Sequence, residues 1–172
     1  MRYITLITLI SLLFVGCASD TYKLDPQYDP LKEIRQGTIE TVGLKDTGAR
    51  TIGTTMWVKD LDKWLEDREP GSTRFHAIVT HEQTHARRQQ EQGLSIWIGR
   101  YLTDADFAWK EEQIGWYRQI VILIGNGYVI SPEGIALTLS NYRVATGSIV
   151  SYGDALRWVY DVMGGRWKPE GE

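Results

Sequence analysis

Residues 72–93, STRFHAIVTHEQTHARRQQEQG, form the stretch that decides how the rest of the chain folds. Ser72 is a favourable helix N-cap, and neither Gly nor Pro interrupts the sequence until Gly93, which suits the end of a helix. Phe75 and Ile78 have the spacing expected on one face of a helix. The pattern predicts a helix over residues 73–92.

His81 and His85 lie four residues apart in this helix, and Glu82 follows the first of them. Positions i and i+4 of a helix share one face, so the two imidazoles can reach a single metal ion. Zn²⁺ takes nitrogen ligands at about 2.0–2.1 Å and keeps one position open in catalytic sites. Glu82 lies about 100° around the helix, where its carboxylate can take a proton from a zinc-bound water. The alternative is the solvated polar face of an ordinary helix.

A third ligand has to come from another part of the chain. His76 is the only other histidine, and helical geometry rotates it well away from the face that carries the first two. The stretch WKEEQIGWYRQI, residues 109–120, offers Glu111 and Glu112 on a downstream helix. The residues by themselves leave these three candidates open, with His76 the weakest.

These residues together resemble the gluzincin metallopeptidases, the thermolysin-like group in which two histidines and a glutamate hold zinc. In several branches of that group the glutamate lies in a Glu-x-x-Ala pattern, whose small residue allows the two helices to approach closely. Glu112 fits the pattern with Gly115 in the place of the alanine. Glu111 would put the bulky Ile114 there, so the resemblance favours Glu112.

The resemblance covers residues 73–119 and implies a zincin-like domain with one catalytic Zn²⁺. The ligands that it implies are His81, His85 and Glu112. Glu82 would then act first as general base and afterwards as general acid. No aspartate follows the glutamate where some branches carry one to orient a histidine. The candidates for a donor that stabilises the transition state are Tyr142, Arg143, Tyr117 and Arg118.

The segments around the central helix combine strands and further helices. Residues 37–43 and 49–58 are rich in Thr, Ile and Val, which predicts a β-hairpin or two short strands. The part GTTMWV, residues 53–58, is a candidate edge strand for an extended substrate. Residues 95–102 are ambiguous between strand and helix. Helices are also predicted over residues 60–67 and 104–124, after Ser131, and from Ser151 to the glycines at 164 and 165.

The expected fold class is therefore α+β and mostly helical. It is a zincin-like domain with a small N-terminal β-sheet or hairpin and about four to five helices. Residues 37–172 are assigned to this domain. Residues 17–36 are assigned to a tether, because two Asp-Pro pairs favour extended or turn backbone there.

Residues 1–16 are predicted to be a lipoprotein signal peptide. Arg2 precedes an apolar run from Ile4 to Val15, which is too short to span a bilayer as a permanent helix. The run leads into LFVGC, which ends at the only cysteine of the chain and resembles the lipobox of bacterial lipoproteins. The resemblance implies that Cys17 becomes the first mature residue and carries acyl chains that anchor it in a bilayer. The alternative is a plain secretory signal or an uncleaved anchor.

Composition narrows the possible partners and location. A net charge of −3 and a pI near 5.7 give no support for nucleic-acid binding. Ala18 and Ser19 after the lipobox cysteine favour the outer membrane of a Gram-negative host, so the expected location is the bacterial cell envelope. A bacteriophage could encode the same kind of lipoprotein.

The sequence as a whole predicts a membrane-anchored zinc metallopeptidase. Its substrate would be a peptide bond in an envelope protein or in a peptidoglycan cross-link. The alternative is a non-catalytic envelope lipoprotein in which a metal only ties two helices together, with a fourth ligand such as His76 or Glu111. A lysis or adhesion protein without a metal is a third possibility.

Overall fold

The computed structural model describes residues 21–37 and 48–171, whose fold is mixed α+β and mostly helical, as predicted. The signal peptide and Cys17 predictions lie outside these residues. In chain order the elements are β1 (Thr21–Lys23), a 3-10 helix (Pro26–Tyr28), β2 (Glu33–Gln36), β3 (Arg50–Ile52), β4 (Thr55–Val58), α1 (Leu61–Asp67), α2 (Thr73–Gln92), α3 (Leu94–Thr103), α4 (Ala105–Gly125), α5 (Pro132–Ser140), β5 (Arg143–Val144), β6 (Gly147–Ser148) and α6 (Tyr152–Met163).

The N-terminal sheet has the strand order β1-β2-β4-β3. β3 and β4 form a hairpin inside residues 49–58, where Ile52 pairs with Thr55 across a short turn. The turn begins at Gly53, whose φ of 61° is a conformation that glycine adopts without steric cost. A hairpin is therefore present, but it lies within the second of the two expected segments and does not join them. Residues 38–43 of the other segment lie outside the described part.

The position of β4 inside the sheet corrects one prediction. β2 pairs in parallel with β4 on the side opposite β3. Residues 53–58 therefore do not form the edge strand, because both edges of β4 are hydrogen-bonded. Among the described residues, β3 is the strand at that edge of the sheet.

The prediction of a tether over residues 17–36 is wrong for residues 21–36. β1 and β2 pair antiparallel within the sheet, and Tyr28, Leu31 and Ile34 are buried in its core. The Asp-Pro pairs do interrupt regular structure, but they shape the connection between two strands. The second partner of β2 is β4, which comes about 20 residues later in the chain, and local sequence pattern does not reveal such a pairing.

Two hydrophobic clusters position the central helices. The first lies between the sheet and α2, which contributes Phe75 and Val79 to it. The second joins α4, α5 and α6, with Ile120 as the fully buried contribution of α4. Burying one such side chain stabilises the fold by about 1.5–3 kcal/mol. The two apolar clusters thus hold α2 and α4 from outside, while the contact between the helices is lined with polar residues.

The helix boundaries follow the local signals in the sequence. Ser72 and Asp104 cap α2 and α4, since each side chain accepts a backbone N–H of the first helical turn. The ambiguous residues 95–102 are helical and belong to α3, which gives six α-helices among the described residues. No helix in this part of the chain is both long and apolar enough to cross a membrane.

Candidate metal centre

α2 and α4 lie antiparallel and unusually close together. His81 contacts Gln119, whereas Arg88, seven residues later, contacts Glu111, which precedes Gln119. The two helices therefore run in opposite directions. Where the helices touch, a Cβ added to Gly115 would lie 2.8 Å from both Cδ2 and Nε2 of His81. Side chains do not approach that closely, so the contact exists because residue 115 is glycine. This is the close approach that the Glu-x-x-Gly pattern predicts.

Three residues direct donor atoms toward one point at this contact. The Nε2 atoms of His81 and His85 are 3.0 Å apart. Glu112 places Oε1 3.5 Å from Nε2 of His85 and Oε2 3.7 Å from Nε2 of His81. Two ligands of a tetrahedral ion, each about 2.05 Å from it, are separated by roughly 3.3 Å. The spacing fits, and the three residues could hold a metal ion.

One atom of the cluster lacks a partner that a cation would supply. Oε2 of Glu112 is buried and has no hydrogen bond among the described residues. An unsatisfied buried polar atom costs about 1–3 kcal/mol. Since this oxygen is directed toward His81, a cation between the two side chains would remove that cost.

Two further side chains orient the ligands. Oε1 of Gln119 accepts a hydrogen bond from Nδ1 of His81 at 3.1 Å, which directs the lone pair of Nε2 toward the cluster. The hydroxyl of Tyr101 donates to Oε1 of Glu112. Sequence reasoning missed both roles. Gln119 lies seven residues after Glu112, on the same helical face, so the spacing contained a usable signal.

The electrostatics favour a bound cation. Burial lowers the pKa of His85 to about 3 and that of His81 well below its ordinary value, so both imidazoles are neutral, as metal ligands must be. Burial also raises the pKa of Glu112 to about 8, and the charge of Glu82 adds to this rise. The cluster therefore contains a buried carboxyl group beside two neutral rings, and a divalent ion would stabilise its ionised form.

Glu82 flanks the cluster from the same helix. It is buried, and its Oε2 has no hydrogen-bond partner in the described part of the chain. Burial raises its pKa to about 7, while the side chains of Thr51 and Arg50 on β3 partly oppose the rise. A carboxyl group with a pKa near neutrality can both accept and release a proton under physiological conditions.

The other candidate ligands have different partners. Glu111 makes a two-point ion pair with Arg88, in which Nη2 lies 2.7 Å from Oε1. His76 is exposed and lies 3.1 Å from the hydroxyl of Tyr28, near the sheet. Neither belongs to the group of three converging residues. Of the two neighbouring glutamates, the structure thus brings Glu112 to the histidines.

The predicted transition-state donors divide in a similar way. Tyr142 lies near the cluster, since the charges of Glu112 and Glu82 add to burial in raising its pKa well above the ordinary value. Arg143 is exposed and bonds within its own hairpin, for example to Oγ of Ser148 at 3.0 Å. Of the other two candidates, Tyr117 packs edge-on against Trp167, and Arg118 donates to Thr84.

Comparison with known proteins adds no family assignment. No family model matches the chain, and no curated protein or solved structure matches it. The geometry of α2, α4 and their neighbours is therefore the basis for a functional assignment.

Proposed function

We propose that this protein is a zinc-dependent metallopeptidase attached to the bacterial cell envelope. The observation that carries the proposal is the convergence of His81, His85 and Glu112 from two helices, with Glu82 beside them. Two imidazoles and one carboxylate are a ligand set that suits Zn²⁺ and leaves a coordination position for reactants. Residues 81–85 have the HExxH spacing, in which the glutamate, here Glu82, acts as the general base.

Each residue has a defined task in this proposal. His81 and His85 supply neutral nitrogen donors, and Glu112 supplies a carboxylate that Tyr101 holds in place. Bound zinc would polarise the scissile carbonyl and make water a better nucleophile. Glu82 takes a proton at its carboxylate and returns it to the nitrogen of the leaving amine. Its pKa near 7 suits both transfers.

The substrate class follows from the surroundings of the centre. β3 carries Arg50 and Thr51, whose side chains act on the pKa of Glu82, so this strand lies beside the reacting groups. The carbonyl of Thr51 already accepts a hydrogen bond from Gln89, so backbone pairing with an extended peptide would be limited to the rest of this strand. Tyr142 stays protonated, and the charges of Glu112 and Glu82 act on it, so of the four predicted donors it is the one that we propose for the developing oxyanion. These features support hydrolysis of a peptide amide, in an envelope protein or a peptidoglycan cross-link.

The membrane attachment in this proposal rests on the sequence. Cys17 would be the acylated first residue of the mature protein, which holds the domain at a bilayer. The catalytic and the anchoring parts of the proposal are independent, because no residue of the metal centre belongs to the N-terminal segment.

A non-catalytic lipoprotein with a structural metal is the second candidate. A closed structural site takes four protein ligands. His76 and Glu111 were the candidates for a fourth, and they are engaged with Tyr28 and Arg88. Among the described residues the cluster has three members, which favours a catalytic site over a structural one.

The decisive experiment measures metal content and hydrolysis in the same preparations. Full-length protein, Glu82→Gln and Glu112→Ala are purified in detergent, analysed for zinc, and incubated with a peptide library. We expect about one zinc in the wild type and in Glu82→Gln, with hydrolysis abolished in the latter, because its amide cannot accept the proton. Glu112→Ala should lose zinc. A fully active Glu82→Gln protein would refute the mechanism, and zinc-loaded protein without hydrolysis would favour a structural metal.

A further inference from the structure

The end of α4 and the loop after it form an exposed apolar surface. Residues 119–132 contain no charged side chain. Within them, four large apolar residues are exposed, and Val129 is exposed over 100% of its surface. We call this surface the apolar tip, and its residues are Val121, Ile124, Tyr128 and Val129. Clustered apolar side chains of this kind, unlike scattered ones, mark a surface that meets a partner.

The backbone holds these side chains together. The N–H of Tyr128 donates to the carbonyl of Leu123 at 3.0 Å, and the N–H of Gly127 donates to that of Ile124 at 2.9 Å. The chain therefore folds back over the last turn of α4, and the loop residues stay beside the helix. Since these N–H groups already have partners inside the protein, the tip can enter an apolar environment without exposing them there.

The tip lies at the same end of the molecule as the start of the described chain. α4 continues for six residues beyond Gln119, about 9 Å at 1.5 Å per residue. His81, the partner of Gln119, lies six residues after Phe75 on the antiparallel α2, so the end of α4 is level with Phe75. The ring of Phe75 packs against that of Tyr22, with centroids 5.9 Å apart. Tyr22 follows the first described residue.

The chain before this point identifies the partner. Cys17 is four residues before Thr21, so an acylated cysteine would keep the bilayer within about 14 Å of β1. We propose that the apolar tip inserts into the surface of the bilayer to which the N-terminus is attached. The absence of charge between residues 119 and 132 favours hydrocarbon over water, and Tyr128 is an aromatic residue of the kind enriched at membrane interfaces. This inference rests on the anchoring part of the proposed function and not on zinc chemistry.

Insertion of the tip would set the height of the metal centre. Glu112 precedes Ile124 by twelve residues of continuous helix, about 18 Å along the axis. With the tip in the bilayer and α4 upright, the centre would face targets close to the membrane surface. Peptide bonds farther from the membrane would be out of reach.

The test places a fluorescent label on the tip and on a matched control site. Ile96 is an exposed apolar residue on α3, beyond the opposite end of α2. Full-length Val129→Cys and Ile96→Cys proteins are labelled with NBD and reconstituted into phosphatidylethanolamine–phosphatidylglycerol vesicles with or without spin-labelled lipid. Wild-type protein, whose only cysteine is Cys17, is the control for labelling at that position. Acylation would block this labelling, because the sulfur of Cys17 is then a thioether.

We expect a blue-shifted emission and several-fold stronger quenching by spin-labelled lipid for the label on Val129→Cys than for that on Ile96→Cys. Equal quenching at the two sites would overturn the proposal. A blue shift without lipid quenching would also overturn it, because the tip would then be covered by protein, such as a second copy. Failure of the protein to sediment with vesicles would refute the anchor and the tip together, while the zinc and hydrolysis measurements would stand unaffected.

A charge on the tip provides a second measurement. Val129 is completely exposed, so its side chain has no packing to lose. A Val129→Glu change should therefore leave the fold intact. Combined with a label on Val121→Cys, Val129→Glu should weaken lipid quenching, whereas Ile96→Glu should not. Unchanged quenching in the Val129→Glu protein would contradict insertion of this surface.

Discussion

The contact between α2 and α4 contains two polar regions that differ in their balance of charge. In one region, Glu111 and Arg88 form a two-point ion pair. In the other, Glu112 meets two imidazoles that burial keeps neutral. The two glutamates are neighbours in sequence, and both are almost completely buried, at 1% and 3% exposure. Burial alone therefore does not distinguish a structural carboxylate from a ligand.

The difference lies in what neutralises each carboxylate. The guanidinium of Arg88 compensates Glu111 within the protein, so that region is complete as it stands. Glu112 meets two neutral rings and the hydroxyl of Tyr101, the charge of Arg50 opposes only part of the rise in its pKa, and one of its oxygens has no hydrogen bond in the described part of the chain. A buried acid without a directly bonded counter-charge is a better indication of a cation site than a count of acids.

Removing the counter-charge from the first region should produce the largest loss of stability. Arg88→Met leaves the carboxylate of Glu111 buried and unpaired, which should cost about 2–4 kcal/mol in the free energy of unfolding. The 31% exposure of the Arg88 side chain keeps this below the cost of breaking a fully buried pair. Denaturant titration measures the loss, and zinc content should remain unchanged.

The double variant Arg88→Met/Glu111→Leu is the control for this change. It removes both charges, so most of the lost stability should return. Loss of zinc from the Arg88→Met protein, at temperatures where it remains folded, would show that the two regions act as one site. The distinction drawn between the two glutamates would then fail.

Adding one methyl group at the helix contact should have the next largest effect. Gly115→Ala would press a Cβ to 2.8 Å from the ring of His81, so the helices or the ring must move. We expect a loss of about 1–3 kcal/mol in the free energy of unfolding and weaker zinc binding. The control is Gly99→Ala, since nothing lies within 4 Å of the added Cβ there. That change should stabilise the protein by about 0.5–1 kcal/mol. Equal effects at the two glycines would contradict the close contact.

The parts of this structure that were predictable depend on signals within one or two helical turns. Ser72 and Gly93 mark both ends of α2, and His81 and His85 could hold one ion because their spacing places them on one face. The choice of Glu112 over Glu111 required one step more, the need for a small residue three positions later. At Gly115 the helices do approach closely, since an added Cβ would lie 2.8 Å from the ring of His81.

The parts that were not predictable depend on contacts between distant segments. β2 pairs with β4, although the whole of β3 lies between them in the sequence. No local sequence pattern predicts that pairing. The same pairing places β4 in the interior of the sheet, where an edge strand was predicted. Gln119 has a role only because an antiparallel α2 brings His81 to it. Cys17 and its acylation remain a prediction from the sequence.

The orientation of His81 gives a narrower test of the second region. Gln119→Ala removes the acceptor for Nδ1 of His81 and should weaken zinc affinity about 10–100-fold, the usual effect of losing such a partner. Gln119→Glu keeps an acceptor and should retain most of the affinity. Gln113→Ala, on the same helix, is the control and should bind zinc normally. Competition with a fluorescent chelator measures all four proteins, and an unaltered Gln119→Ala protein would mean that packing alone orients the ring.

The pH dependence of stability gives the smallest effect and compares the regions without a change in packing. In metal-free protein Glu112 keeps its proton up to a pH of about 8, and Glu82 up to about 7, whereas both lose it above their ordinary 4.5 when unfolded. The folded state binds more protons between pH 7 and 8, so stability falls as pH rises, by at most about 1.4 kcal/mol per pH unit for each group. The histidines oppose this chiefly near and below their ordinary 6.5, because their folded pKa values are lowered.

Denaturant titrations with EDTA at pH 7 and 8 should therefore show lower stability at the higher pH. Glu112→Gln should flatten this dependence, because its amide carries no titrating proton. Saturating zinc should abolish or reverse it, since the ion binds the ionised carboxylate and no proton remains to be lost. If metal-free protein became more stable from pH 7 to pH 8, Glu112 would already be compensated, as Glu111 is, and the cluster would have no need of a cation.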